Sequence, residues 1–254
     1  LAAAVYAGAL HNPFVYDDIP MVVENPSLRE VSNWRFVLLY QPFRPLVNAS
    51  YAFDYQLWQL QPLGYHLTSL LLHCLNVLLS SLPCAGLPGA GQAQDRNRAV
   101  AGLAAALFAV HPLASEAVGY VAGRAELLCA SFFLVAFLCL RGAFGGEALR
   151  RRARLVLGLV CFGFALACKE VAAMLPATLL LYDLVFLPAR DPGRRCRVLA
   201  LYLPLLDHAA PGGDRWSYFV GRMADKLRED RHDIEEQVAR AELGREKSLL
   251  AAAA

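Results

Sequence analysis

"HLTSLLLHCLNVLLSSL", residues 66–82, contains no Asp, Glu, Lys or Arg, and its polar members are only His, Thr, Ser and Asn. Such side chains can satisfy themselves against a helix backbone or a neighbouring helix, so apolar surroundings do not exclude them. A surface helix of a water-soluble domain would show one charged face, and this stretch has none. It therefore predicts a membrane span, closed by Pro83 and a Gly/Pro-rich loop.

The rest of the chain agrees. Of 254 residues, 57% are hydrophobic and 18% charged, more apolar than the roughly 45–50% of soluble domains. Further apolar runs follow at Ala99–Val110, at Glu126–Leu140 ("ELLCASFFLVAFLCL") and from Leu155 to Leu187. The last would reach ~50 Å as one helix, against a hydrocarbon core of ~30 Å. Two spans meeting near Lys169-Glu170 are the simpler expectation, and Val198–Leu206 begins another. The opening "LAAAVYAGAL" lacks a Met and a basic flank, so it reads as the end of a membrane helix rather than a signal peptide. The expected fold is all-α: a polytopic transmembrane helical bundle with a long first non-cytoplasmic loop over residues 11–65.

Charge places the loops. Arg96 and Arg98, then Arg141, Arg150, Arg151, Arg152 and Arg154, then Arg190, Arg194, Arg195 and Arg197 occupy alternate breaks. In the intervening breaks, residues 11–65, 111–126 and 169–170, carboxylates match or outnumber cations. The arginine-bearing loops are therefore expected on the cytoplasmic side. The net charge of +2 gives no basic stripe for nucleic acid. The seven cysteines form no C-x-x-C pair, so neither a zinc nor a redox site is expected. From Asp214 to Lys247 about half the residues are charged. Residues 207–254 thus read as a solvated helical tail, separate from 1–206.

The non-cytoplasmic side gathers the chemistry. It holds Asp17-Asp18 in "YDDIPMVVENPSL", then Arg44 in "FRPLVNASYAFDYQLW". It also holds His111, Glu116, Arg124 and Glu126 in "FAVHPLASEAVGYVAGRAELL", and Lys169 and Glu170 in "CKE". Ionisable groups at membrane depth are costly and face a bundle interior or wet cavity. A site with both signs suits transfer from an anionic leaving group to a neutral nucleophile. Two confined carboxylates also raise one another's pKa, which suits a base. Taken singly, each cluster also fits a polar turn, a helix end or an interfacial anchor. Asn48-Ala49-Ser50 matches an N-glycosylation sequon, a match short enough to arise by chance.

"YDD…NP", "RPL…GYHLTSLLLHCLNVLL", "LFAVHPLASEAVGYVAGRAELLCASFFLVAFL" and "CKE…LLLYDL" together resemble the membrane region of the transmembrane and tetratricopeptide-repeat-containing O-mannosyltransferases. Similar segments occur in bacterial membrane proteins that carry tetratricopeptide repeats. The resemblance covers residues 5–206 or so, while the tail matches nothing in the family and carries no 34-residue repeat signature. It implies a C-type glycosyltransferase fold and transfer of a sugar, mannose foremost, from a polyprenyl or dolichyl phosphate donor to Ser/Thr of an acceptor protein. It further implies a co-substrate lipid rather than a cofactor, no required metal, and an endoplasmic reticulum or bacterial inner membrane with a luminal or periplasmic active face. By motif, Asp17 becomes the base and Asp18 the group orienting base or acceptor. Arg44, His111, Arg124 and Lys169 become donor-phosphate contacts, backed by Glu116, Glu126 and Glu170. A membrane scaffold, a transporter fragment and an inactive truncated product are the competing expectations.

Overall fold

Proline and glycine set the boundaries of the longest helix. In the computed structural model, which describes residues 1–85, 92–143 and 148–186, the helix predicted at 66–82 runs from Pro62 to Ala85. Pro62 suits a helix start because its missing N–H would have no partner there. Pro83 falls in the final turn. A Cβ at Gly64 would lie 2.1 Å from Trp58 Cγ, so glycine is what lets the indole ring close the corner before this helix.

Among the described residues the structure is helical throughout, with no strand. Short α1 (Ala2–Tyr6) continues as a 3-10 turn at Ala7–His11. A π-helical turn at Ile19–Val23 and a 3-10 turn at Pro26–Arg29 lead to α2 (Trp34–Tyr40) and α3 (Pro45–Trp58). The long helix is α4 (Pro62–Ala85); α5 (Gln92–Ala109) and α6 (Ala114–Gly119) follow. A 3-10 turn, Val121–Gly123, enters α7 (Arg124–Gly142), and α8 (Ala148–Leu166) comes next. The break expected near Lys169-Glu170 is present as an extended Lys169 and a 3-10 turn, Glu170–Met174, before α9 (Leu175–Phe186). Two helical stretches, Pro62–Pro83 and Val121–Gly142, are long and apolar enough to cross a membrane, at 22 residues each. The tail, the span expected at Val198–Leu206 and the arginines from Arg190 onward lie outside the described residues.

Contacts along the helices give their directions. Tyr65, Asn76 and Pro83 of α4 meet Arg124, Leu127 and Arg141 of α7 in that order, so the two helices run parallel. Phe132 pairs with Phe164, and Gly158 with Leu140, so α7 and α8 run antiparallel. A Cβ at Gly158 would fall 2.7 Å from Leu140 Cγ, which makes that crossing a close one. His73 of α4 packs on Phe108 and reaches the carbonyl of Ala109, bringing the end of α5 beside the first half of α4. The starts of α4 and α7 and the ends of α5 and α8 therefore share one end of the molecule. The arginine-rich starts of α5 and α8 take the other.

The core follows this plan. Val22, Leu28, Val47, Tyr51, Tyr65, Val121, Ala125, Cys129, Ala165 and Cys168 form one continuous cluster that joins the first loop, α3, α4, α7 and α8. A second cluster packs α7, α8 and α9 around Phe137, Leu140, Phe162 and Leu175. Between α4 and α7 a polar clasp replaces apolar packing. Asn76 donates to the Leu127 carbonyl at 2.9 Å, and Ser131 donates to Asn76 Oδ1 at 2.7 Å. Asn76 is buried, so removing its amide deletes both of these bonds between the helices and leaves Ser131 only the Leu127 carbonyl of its own helix, at 2.9 Å. Asn76→Ala should cost about 1–3 kcal/mol, measured as lost thermal stability in detergent or nanodiscs; an unchanged melting temperature would refute the clasp.

Candidate functional site

The two adjacent aspartates face opposite ways. Asp18 is buried and its carboxylate is spent on backbone. Oδ1 accepts the Ala122 N–H at 2.8 Å and Oδ2 accepts the Val15 N–H at 3.1 Å. Burial pushes the Asp18 carboxyl above the ordinary range, and the N–H groups of Val15, Ala122 and Val121 draw it partly back. Asp17 keeps its side chain exposed while its own N–H donates to the Tyr120 hydroxyl at 2.8 Å. Asn12 adds a third tie, from its amide to the Gly119 carbonyl at 2.9 Å. The loop before the π-helical turn is thus laced onto residues 119–122, and the acid pair is divided into one buried anchor and one exposed carboxylate beside the Tyr120 hydroxyl.

The turn holding these two residues is strained. Asp18 N–H donates to the Val15 carbonyl, closing a tight reversal in which Tyr16 has φ 47°. That left-handed conformation ordinarily goes to Gly, Asn or Asp, and a bulky residue held there costs about 1–3 kcal/mol. The Tyr16 side chain is 88% exposed, so packing does not compensate. Gln59 is a second such residue, with φ 53° and ψ −130° just past the end of α3, also a conformation that glycine ordinarily takes.

Behind the turn lies a fully buried ion pair. Arg124 and Asp54 have 0% and 1% side-chain exposure and meet at 2.5 Å between Nη1 and Oδ2. Arg124 Nη2 donates to the Tyr65 carbonyl at 2.7 Å, and its guanidinium carbon lies 4.9 Å from the Tyr51 ring centre. Thr68 donates to Asp54 Oδ1 at 2.9 Å, and the Tyr51 hydroxyl donates to the Val121 carbonyl at 3.1 Å. His66 is also buried and lies within electrostatic reach of Asp18 and Arg124. Gly123 permits the turn itself, since a Cβ there would sit 2.8 Å from Ala117 Cα and Glu116 O.

The other residues singled out from sequence fall into two groups. Lys169, half-buried, pairs with exposed Glu126, and so joins the α8–α9 break to the first turn of α7. Arg44 is half-buried at the start of α3. His111 is exposed, with Nδ1 accepting the Leu113 N–H at 3.3 Å and its carbonyl accepting the Tyr6 hydroxyl at 2.9 Å. Glu116 and Glu170 are exposed on α6 and on the turn after Lys169. Arg124 departs from the expected contact with a donor phosphate: it is enclosed, with its charge met by Asp54. Nothing in "SYAFDYQLW" marks Asp54 as buried, so its pairing with Arg124 is visible only in the structure.

The sequon match is a chance one, as its shortness allows. Asn48 is fully buried. Its Nδ2, the atom a glycan would occupy, donates to Ser27 Oγ at 3.0 Å and to the Val37 carbonyl at 2.5 Å. Asn25 donates to Asn48 Oδ1 at 2.8 Å. These bonds fasten the "ENPSL" segment to α3 and leave no room for a sugar. Among the described residues, no group of three His, Cys, Asp or Glu side chains could hold a metal ion.

Comparison with known proteins gives a consistent set of relatives. The chain is 32% identical over 241 residues to a Drosophila melanogaster protein named protein O-mannosyl-transferase Tmtc3, covering 80% of this chain and 26% of the relative. It is 30% identical over 212 residues to mouse protein O-mannosyl-transferase TMTC1, covering 72% and 22%. To human protein O-mannosyl-transferase TMTC4 it is 31% identical over 195 residues, covering 67% and 26%. The chain spans about a quarter of the length of these curated relatives. No family profile matches it, and no solved structure does.

Two outcomes follow from this geometry. Arg124→Met strands a buried carboxylate and should cost about 3–5 kcal/mol of stability, read by thermal unfolding; a loss under 1 kcal/mol would contradict the enclosed pair. Asp18 has a folded-state pKa above its unfolded value. Its favourable contribution is therefore complete below about pH 3.9 and is lost as pH rises through the folded pKa. Asp18→Asn cannot titrate, so wild type should lose stability relative to this variant from about pH 4 towards neutrality. Parallel pH–stability curves would exclude the shift.

Proposed function

This chain is a homologue of protein O-mannosyl-transferases over 67–80% of its length in the three alignments above, and from that relationship we propose that it forms the membrane-embedded transfer region of such an enzyme. The observation that carries the mechanism is the division of the acid pair, with Asp18 tied to backbone and Asp17 exposed beside Tyr120.

The donor is a sugar, mannose by this reading, linked through its anomeric carbon to a polyprenyl phosphate. Asp17 accepts the proton of a Ser or Thr hydroxyl. The hydroxyl oxygen bonds the anomeric carbon, the bond from that carbon to the phosphate oxygen breaks, and the lipid phosphate leaves with the electron pair. Charge grows on the phosphate during this step, and a cation placed for that moment lowers the barrier. Lys169 and Arg44 are suited to the task, since both remain partly exposed at the Asp17 end of the helices. His111 enters from the end of α5. Glu126 holds Lys169, while Glu116 and Glu170 modulate His111 and the α8–α9 turn. Arg124 serves through position alone, by fixing the turn from which Tyr120 and Ala122 reach the acid pair.

The reaction side follows from charge. The starts of α5 and α8 carry Arg96, Arg98 and Arg150 to Arg154 at the end opposite Asp17, which supports a cytoplasmic arginine end. Asp17 then faces the lumen of the endoplasmic reticulum or the bacterial periplasm, in a polytopic arrangement around α4 and α7.

The test is transfer of labelled mannose from polyprenyl phosphate mannose to a Ser/Thr peptide by the chain in nanodiscs. Asp17→Asn should reduce the rate about 10²–10⁴-fold with little change in melting temperature, because the side chain is exposed and an amide oxygen can still accept from the Tyr120 hydroxyl. A rate equal to wild type would overturn the assignment of the base.

A further inference from the structure

We propose that Tyr16 is an acceptor-binding residue, an aromatic side chain held beside the Asp17 carboxylate so that the polypeptide bearing the accepting hydroxyl packs against it. The assignment rests on the proposed glycosyl transfer and adds a binding role to the same site.

Three observations meet at this residue. Its φ of 47° is a conformation that a β-turn ordinarily assigns to Gly, Asn or Asp. Its side chain is 88% exposed and has no hydrogen-bond or ring partner among the described residues. The turn around it is nonetheless firmly built, through Asp18 N–H to the Val15 carbonyl and Val15 N–H to Asp18 Oδ2. Folding therefore gains nothing from tyrosine at this point and would be better served by glycine. Strain that the surroundings hold in place clusters at functional sites, and of the two such residues among those described Tyr16 is the one beside the acid pair.

Position decides what Tyr16 touches. Neighbouring Cα atoms are ~3.8 Å apart, so Tyr16 and the exposed carboxylate of Asp17 project from the same turn. Asp17 acts on the acceptor hydroxyl, so a side chain beginning one residue away lies among the atoms flanking that hydroxyl. The donor's lipid is anchored in the bilayer, whereas Tyr16 stands at the exposed tip of a loop. Tyrosine also suits a peptide partner, offering a large rigid face and a hydroxyl for few rotatable bonds.

The experiment measures acceptor and donor KM separately for wild type, Tyr16→Gly and Tyr16→Phe, with Asp17→Asn as the control for chemistry. Tyr16→Gly should raise the acceptor KM about tenfold, leave donor KM and kcat at saturating acceptor within about twofold of wild type, and match or exceed wild type in melting temperature. Tyr16→Phe should keep the acceptor KM within about threefold. An unchanged acceptor KM in Tyr16→Gly, with wild type active, would overturn the assignment and mark Tyr16 as an interfacial anchor or a passive turn residue. Wild type that transfers no mannose would instead overturn the glycosyl-transfer reading, and this assignment with it.

Discussion

A cation with no access to water has to be met where it stands, and Arg124 is met by Asp54. Isolated burial of either charge would be prohibitive, so the pair forms together or the region stays open. Closing it requires α3 to supply Asp54 and Tyr51, α4 to supply the Tyr65 carbonyl, and α7 to begin at residue 124 and no later. The first two of these elements are far from the third in sequence, which makes the pair a constraint on the tertiary arrangement rather than on any one helix. Once α7 is set, Tyr120 and Ala122 stand where the first loop can dock on them.

The acid pair takes its character from that docking. Two chemically equivalent carboxylates become unequal because one is turned inward to backbone N–H groups and the other is not. The buried member carries most of the geometric role, and its neighbour keeps an exposed carboxylate beside the Tyr120 hydroxyl. The same economy applies to Asn25, Ser27 and Asn48, whose mutual hydrogen bonds hold the loop to α3 without a charge.

Helices were the legible part of the sequence. The runs at 66–82 and 126–140 have lengths and compositions that only helices satisfy, and Lys169-Glu170 interrupts an apolar stretch too long to remain unbroken. Each extends a few residues further in the structure because Pro62 and Gly123 permit a start earlier than hydropathy suggests. The shared end for Asp18, Arg124 and Lys169 was also legible, since charge alternation among loops is a long-range signal. What hydropathy could not convey was orientation within that end. Arg124 looked like a ligand for phosphate because nothing in "AGRAELL" states that Asp54 waits 70 residues earlier. The burial of Asn48 was equally hidden, because a three-residue match carries no information about depth. Tyr16 was visible only as part of a motif, since backbone strain leaves no trace in composition.

The parallel course of α4 and α7 has a consequence for the chain between them. Parallel neighbours cannot be joined by a hairpin, so the intervening chain must return across the full thickness of the layer before α7 enters. That return falls to α5, whose 18 residues are long enough for a span but not apolar enough to count as one, with Asp95, Arg96 and Arg98 in its first two turns. Its residence there depends on lateral packing, such as His73 against Phe108. Were α5 to turn away from α4, the chain could not come back to start α7 beside Tyr65, and residues 120–122 would be parted from Asp18. The meeting of the first loop with residues 120–122 thus rests on a helix that touches neither, through its packing on α4.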